Sequence, residues 1–135
     1  MDQTCLCVTI DADFSYLLQR YAARSGLRAI QVKGYAELSQ VARETHPAVI
    51  FLEVDLVSNQ NLACALRTLK EDSFTQDTPV VLISWVSEQE TTAVEGVDFY
   101  LRKPVMYADF LGALASTGVS FRIQNVDLLD KKEVS

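Results

Sequence analysis

Five short apolar runs alternate along the chain with segments of helical periodicity. The runs occupy residues 5–10, 27–32, 48–53, 79–84 and 97–101. The segments between them repeat apolar residues three or four positions apart, as in Leu62, Leu66 and Leu69. This alternation is typical of an α/β domain with a parallel sheet. With 135 residues, 49% of them hydrophobic, the chain is long enough for one such domain and its core.

The composition of the runs predicts the order of the strands. The first, third and fourth runs are almost continuously apolar, which suits central strands covered by helices on both faces. The second run contains Arg28 and Gln31 and the fifth contains Asp98, which suits edge strands. We therefore predict the order 2-1-3-4-5. The helical segment at residues 86–95 is the weakest, and we expect a domain at residues 1–118 followed by a tail or the start of a linker at residues 119–135.

Charge and composition exclude several classes of function. The net charge of −6 argues against nucleic acid or an anionic membrane as the main partner. No stretch reaches the roughly 20 apolar residues of a membrane span, and the acidic start lacks the features of a signal peptide. A cytoplasmic location is therefore expected. Cys5 and Cys7 lie two apart in a strand and should pack on one face as core residues, while Cys64 and the lone His46 give no zinc-ligand spacing.

Polar residues stand at or just after the ends of four predicted strands. Asp11 follows the first strand, Glu53 ends the third, Ser84 ends the fourth and Lys103 follows the fifth. In an open parallel sheet, ligands and chemistry gather at this carboxyl edge. Simpler roles are also open: Asp11 or Asp13 would serve as the N-cap of the first helix, and Glu53 would do no more than pair with Lys103.

Three motifs carry a resemblance to a known family. They are LRKP at residues 101–104, LKEDSFTQDTPVVLIS at residues 69–84, and HPAVIFLE at residues 46–53. Over roughly residues 4–115 the chain resembles a receiver domain of two-component response regulators. The resemblance implies a flavodoxin-like three-layer sandwich. It also implies a protein partner (a histidine kinase, a phosphotransfer protein or an output protein), with a homodimer as a further assembly and no enzyme activity of its own.

The resemblance assigns roles to the charged residues at the sheet edge. Glu53 stands where family members carry the phosphoacceptor aspartate, and Lys103 matches the lysine that contacts the phosphoryl oxygens. Asp11, Asp13 and Glu53 are the residues available to bind Mg²⁺. Phosphorylation of a carboxylate requires in-line attack, with a hard cation of about six oxygen ligands spreading the charge.

Further positions line the expected site. Ser84 matches the hydroxyl that follows the phosphoryl group, and Tyr100 matches the aromatic residue that rotates with it. The peptide bond between Lys103 and Pro104 is expected to be cis, a feature specific to proline. Trp85 stands where the family usually has a small residue, so we expect its indole to roof the pocket.

Departures from the family pattern favour a pseudo-receiver. Glu53 moves the carboxylate outward by about 1.3 Å, which disturbs the attack geometry. The acids after the first strand are displaced, because the sequence reads TIDAD at residues 9–13. We therefore expect weak Mg²⁺ binding at most, no other cofactor, and a permanent ion pair between Glu53 and Lys103. The function would be protein recognition, and Met106 and Tyr107 are residue types favoured at such surfaces.

Two alternatives remain open from the sequence. One is a functional Mg²⁺-dependent receiver that is phosphorylated at Glu53 or at Asp55, two residues further on. The other is an enzyme on the same fold, for which the sequence offers no nucleophile–base pair and no phosphate-binding glycine loop.

Overall fold

The computed structural model describes residues 3–54, 59–85 and 96–123. Five strands form one parallel sheet: β1 (Gln3–Val8), β2 (Leu27–Val32), β3 (Val49–Glu53), β4 (Val80–Ser84) and β5 (Phe99–Arg102). Their order is β2-β1-β3-β4-β5, which confirms the predicted topology. The runs that contain Arg28 and Asp98 correspond to the edge strands β2 and β5, as predicted.

Within the described residues, four helices cover the sheet: α1 (Ala12–Arg24), α2 (Tyr35–Thr45), α3 (Asn59–Glu71) and α4 (Tyr107–Ser116). Helices α1 and α4 pack on one face, and α2 and α3 pack on the other. The result is the predicted three-layer, flavodoxin-like sandwich. The helical segment predicted at residues 86–95 lies outside the described residues, as do residues 124–135 of the expected tail.

Each face of the sheet has its own hydrophobic core. Side chains alternate along a strand, so Phe51 of β3 points toward α1 and α4 while Leu52 points toward α2 and α3. Phe51 stacks on Phe110 of α4 with ring centroids 4.8 Å apart. Cys5 and Cys7 are fully buried in the same core, as their spacing predicted. Both faces of the central strands are therefore closed to solvent, and their polar groups reach it only at the strand ends.

The first strand ends two residues earlier than predicted. Its pairing with β2 stops at Val8, opposite Val32, and the Thr9 amide donates one last bond to the Val32 carbonyl at 3.1 Å. Ile10 then turns outward and is 79% exposed. Asp11 follows as the N-cap of α1. This correction makes Thr9, and not an acid, the polar residue nearest the end of β1.

The fifth strand begins two residues later than predicted, because Asp98 joins the sheet by its side chain. The Asp98 amide donates to the Val80 carbonyl at 2.9 Å, and a carboxylate oxygen of Asp98 accepts from the Val80 amide at 2.8 Å. The regular ladder then starts at Phe99. Asp98 also lies 3.5 Å from the amine of Lys70 on α3. Asp98 thus completes the hydrogen bonding between β4 and β5 at the amino end of these strands, opposite the candidate site.

The chain beyond α4 packs against the end of α1. Val119 is buried, and the Arg122 amide donates to the Ser25 carbonyl at 3.0 Å. Residues 119–123 are therefore attached to the domain. Across the part of the chain that the structure describes, no helix is both long and apolar enough to cross a membrane.

Candidate functional site

An ion pair between Glu53 and Lys103 forms the centre of the candidate site. Glu53 is the last residue of β3 and Lys103 follows β5, and the Lys103 amine donates to Oε2 of Glu53. The two side chains are only 14% and 8% exposed. The Lys103 amide also donates to the Ser84 carbonyl at 2.8 Å, which fixes the lysine beside the end of β4. The sheet thus brings together two residues that are 50 positions apart in the sequence.

Two aromatic rings flank the Lys103 amine. Its nitrogen lies 4.2 Å from the centroid of the Phe14 ring and 5.4 Å from that of Trp85, both within the range of cation–π attraction. Burial lowers the pKa of Lys103 below its ordinary value, and the nearby Asp11 carboxylate acts in the opposite direction. The ion pair and the ring contacts all favour the charged amine, so they offset part of the cost of burying it.

Thr9 forms a hydrogen bond to the second carboxylate oxygen of Glu53. The Thr9 hydroxyl donates to Oε1 of Glu53 and accepts from the Asp11 amide at 3.0 Å. Thr9 itself is buried. Both carboxylate oxygens of Glu53 are therefore engaged, one by a hydroxyl and one by an amine. Thr9 was not predicted as a site residue, because only acidic side chains were considered after the first strand. The signal in the sequence was that Thr9 is the first polar residue after the buried stretch of β1.

Tyr35 holds the backbone at the same point. Its hydroxyl donates to the carbonyl of Glu53 at 2.9 Å from the start of α2. The next amide, of Val54, donates to the Ile83 carbonyl at 2.8 Å. Thr9 and Lys103 thus hold the side chain of Glu53, and Tyr35 holds its backbone carbonyl. Tyr35 was not among the residues that the sequence singled out.

The two acids near β1 belong to the start of α1. One carboxylate oxygen of Asp11 accepts from the amides of Asp13 and Phe14, at 3.0 and 3.2 Å. Asp11 is therefore the N-cap, which was one of the two roles left open for it. Asp13 is exposed in the first turn, where a negative charge is favourable near the helix amino end.

The donor set does not fit a Mg²⁺ ion. Mg²⁺ requires near-octahedral oxygen ligands, usually including one or two carboxylates. Glu53 is engaged by Thr9 and Lys103, and Asp11 caps a helix. Among the described residues, no group of three or more His, Cys, Asp or Glu side chains is placed to hold a metal. Asp55 lies outside them.

The remaining predicted site residues stand around the pair. Ser84 is buried at the end of β4, and Tyr100 on β5 is half-buried against the core under α2 and α3. The bond between Lys103 and Pro104 is cis, as the family resemblance implied. Trp85 lies at the rim and is 61% exposed. It therefore covers one side of Lys103 and does not roof the site.

Met106 and Tyr107 differ in orientation. Met106 is 61% exposed. Tyr107 instead packs on α1, with its hydroxyl 3.0 Å from the Ser25 hydroxyl and its ring 5.3 Å from that of Tyr21. The guanidinium of Arg24 lies 5.6 Å from the same ring. The expectation that Tyr107 faces a partner is therefore corrected: it joins α4 to α1.

Sequence comparison gives no relative for this chain. No protein-family model matches it, and no curated protein matches it.

Solved structures share the fold. The chemotaxis response regulator CheY4 of Vibrio cholerae matches with a TM-score of 0.77 at 15% identity, covering 87% of this chain and 99% of that one. The receiver domain of sensor histidine kinase PA1611 from Pseudomonas aeruginosa, with a magnesium ion in its active-site cleft, gives 0.75 at 16%, covering 87% and 99%. A sensor protein from Polaromonas sp. JS666 gives 0.72 at 20%, covering 86% and 93%. The chain has the fold of CheY-like receiver domains.

Proposed function

We propose that this chain is a receiver-type signalling domain that acts in a two-component pathway by contacting other proteins and is not itself phosphorylated. The observation that carries the proposal is the state of Glu53, whose two carboxylate oxygens are already held by Thr9 and Lys103. The fold shared with CheY-like receivers supports the signalling role. The domain would be a recognition module, not an enzyme.

The chemistry of phosphoryl transfer explains why this arrangement disfavours it. A carboxylate attacks in line and needs a free oxygen, while a metal ion spreads the developing charge. Here Lys103, whose counterpart in the family contacts the phosphoryl oxygens, is already neutralised by Glu53. The glutamate is also longer than the aspartate that the family uses, and such geometry tolerates little error. The ion pair would hold the domain in one conformation without phosphate.

Exposed apolar residues at the carboxyl edge support a protein partner. Ile10, Trp85 and Met106 follow β1, β4 and β5, and each is more than half exposed. Large apolar side chains exposed at one edge of a folded domain suit contact with another protein. A histidine kinase, a phosphotransfer protein or an output protein would fit this edge, and a second copy of the chain is a further candidate.

Incubation with acetyl phosphate and Mg²⁺, followed by intact mass spectrometry, tests the proposal. The wild type should gain no phosphate while an authentic receiver such as CheY4, treated in parallel, does. The matched variant Glu53→Gln, which lacks the carboxylate, should likewise gain no phosphate. A stoichiometric phosphate on Glu53 or Asp55 would establish the alternative, a functional Mg²⁺-dependent receiver.

A further inference from the structure

A cleft opens between α2 and α3, beside the Glu53 end of β3. Its volume is about 870 Å³, within the range of small-molecule sites. Ala36 on α2 and Ala65 on α3 form opposite walls, and Trp85 stands at the mouth. Small side chains on both helices leave the space open. The lining is mostly apolar, so an occupant would bury apolar surface on entering.

The side chain of Lys33 lies at the mouth of the cleft. Lys33 follows β2, is exposed and lines the opening. Within residues 3–54, 59–85 and 96–123, its amine has no carboxylate partner. By contrast, Lys70 pairs with Asp98 and Lys103 pairs with Glu53. An ammonium without a carboxylate partner at the entrance of an apolar cleft suits an anionic group.

We propose that this cleft binds a small molecule with a flat apolar body and one acidic group, such as an aromatic carboxylic acid. The acid would lie at Lys33, and the body would lie between Ala36 and Ala65 with an edge on the Trp85 indole. This inference does not depend on whether Glu53 is phosphorylated, since it rests on the cleft and its charge.

The cleft is connected to the ion pair. Tyr35 and Glu53 both line it, and they are joined by the hydrogen bond from the Tyr35 hydroxyl to the Glu53 carbonyl. Thr9, which binds the Glu53 carboxylate, lines it as well. An occupant therefore touches the residues that fix Glu53. A bound ligand would therefore act on this network through Tyr35 and Thr9.

Two natural reporters make the site measurable. Trp85 is the one tryptophan of the chain, and Cys64 is exposed and lines the cleft while Cys5 and Cys7 are fully buried. Titration with 1-naphthoate should change Trp85 fluorescence in a saturable way. At saturation it should slow alkylation of Cys64 by iodoacetamide severalfold, measured by mass spectrometry.

Variants on opposite walls test the location. Ala36→Leu and Ala65→Leu fill the cleft from different helices, and each should weaken naphthoate binding tenfold or more. Circular dichroism and thermal melts establish that each variant is folded; Ala36 is exposed, so its replacement should be tolerated. The control is Arg67→Gln, which removes an exposed charge of α3 that does not line the cleft.

Charge is tested separately from shape. Lys33→Gln should weaken naphthoate by up to about fivefold, the range of an exposed ion pair, and leave the neutral analogue 1-naphthalenemethanol unchanged. If naphthoate gives no saturable protection of Cys64 at millimolar concentration, or if both filling variants bind it like the wild type, the binding site is refuted. If Lys33→Gln binds naphthoate as well as Arg67→Gln does, the acidic ligand class is wrong.

Discussion

Lys103 pairs with Glu53 across the end of β4, so the ion pair joins two strands, β3 and β5, that are not neighbours in the sheet. Both side chains are largely buried, and removing two charges from water is costly. The Thr9 hydroxyl and the Phe14 ring offset part of that cost, one at each end of the pair. The pair therefore belongs to a network, and the loss of both partners should cost less than the sum of the two separate losses.

Replacing Lys103 alone should destabilise the domain strongly. In Lys103→Met, the Glu53 carboxylate stays buried without its counter-ion, and we expect a loss of about 3 kcal/mol in the free energy of unfolding. The double variant Glu53→Gln with Lys103→Met should lose less than the sum of the single changes, with a coupling of about 1–3 kcal/mol. Urea unfolding of the four proteins measures both values.

An ion pair with one exposed partner provides the control for this cycle. Arg43 lies 3.0 Å from Asp72, and its side chain is 53% exposed. Arg43→Gln should therefore cost less than about 1 kcal/mol. Equal losses in Arg43→Gln and Lys103→Met would show that burial does not strengthen the Glu53 pair.

Thr9→Val tests the hydroxyl that holds Glu53. The change preserves shape but removes the donor to Oε1 of Glu53 and the acceptor of the Asp11 amide. We expect a loss of about 1–3 kcal/mol in unfolding free energy, since buried polar groups lose their partner. Thr9→Ser retains the hydroxyl and should lose clearly less. Thr68→Val, at an exposed position of α3, is the matched control. If Thr9→Val unfolds with the same free energy as the wild type, the hydroxyl contributes nothing to stability.

Asp11 should behave as a helix cap and not as a metal ligand. Asp11→Ala should cost about 1 kcal/mol, whereas Asp11→Asn retains a good cap and should cost little. Millimolar Mg²⁺ should leave the thermal midpoint of the wild type almost unchanged, since stabilisation requires binding to the folded state. Differential scanning calorimetry measures all three. A midpoint that rises by several degrees with Mg²⁺ in the wild type, and does not rise in Asp11→Asn, would contradict the cap assignment.

The lowered pKa of Lys103 should appear in the pH dependence of stability. In the alkaline range between its folded-state pKa and its ordinary value of 10.5, the unfolded chain binds more protons at this amine than the folded protein does. Stability contributed by this group therefore rises with pH over that range. The unfolding free energy of the wild type, relative to Lys103→Met, should increase as the pH rises through the alkaline range toward 10.5. Titrating groups remote from Lys103 cancel in the difference, and a difference that falls with pH would mean that the folded state raises this pKa.

Sequence periodicity determined the fold of this protein. Runs that are apolar along almost their whole length predicted central strands covered by helices on both faces, and the runs with Arg28 and Asp98 predicted the edges. Because the carboxyl ends of parallel strands meet at one edge, the positions of Glu53 and Lys103 along their runs were enough to predict that they lie together. The family resemblance also implied the cis bond before Pro104.

Tertiary structure alone decided which group faces Glu53. The end of β1 depends on where its pairing with β2 stops, and a shift of two residues places Thr9 at the site and makes Asp11 a helix cap. Tyr107 turns inward because Ser25 and Tyr21, more than 80 positions away, pack beside it. The cleft likewise depends on how α2 and α3 sit beside one another. Such contacts between distant residues leave no local pattern in the sequence, because each depends on the geometry of the packed elements.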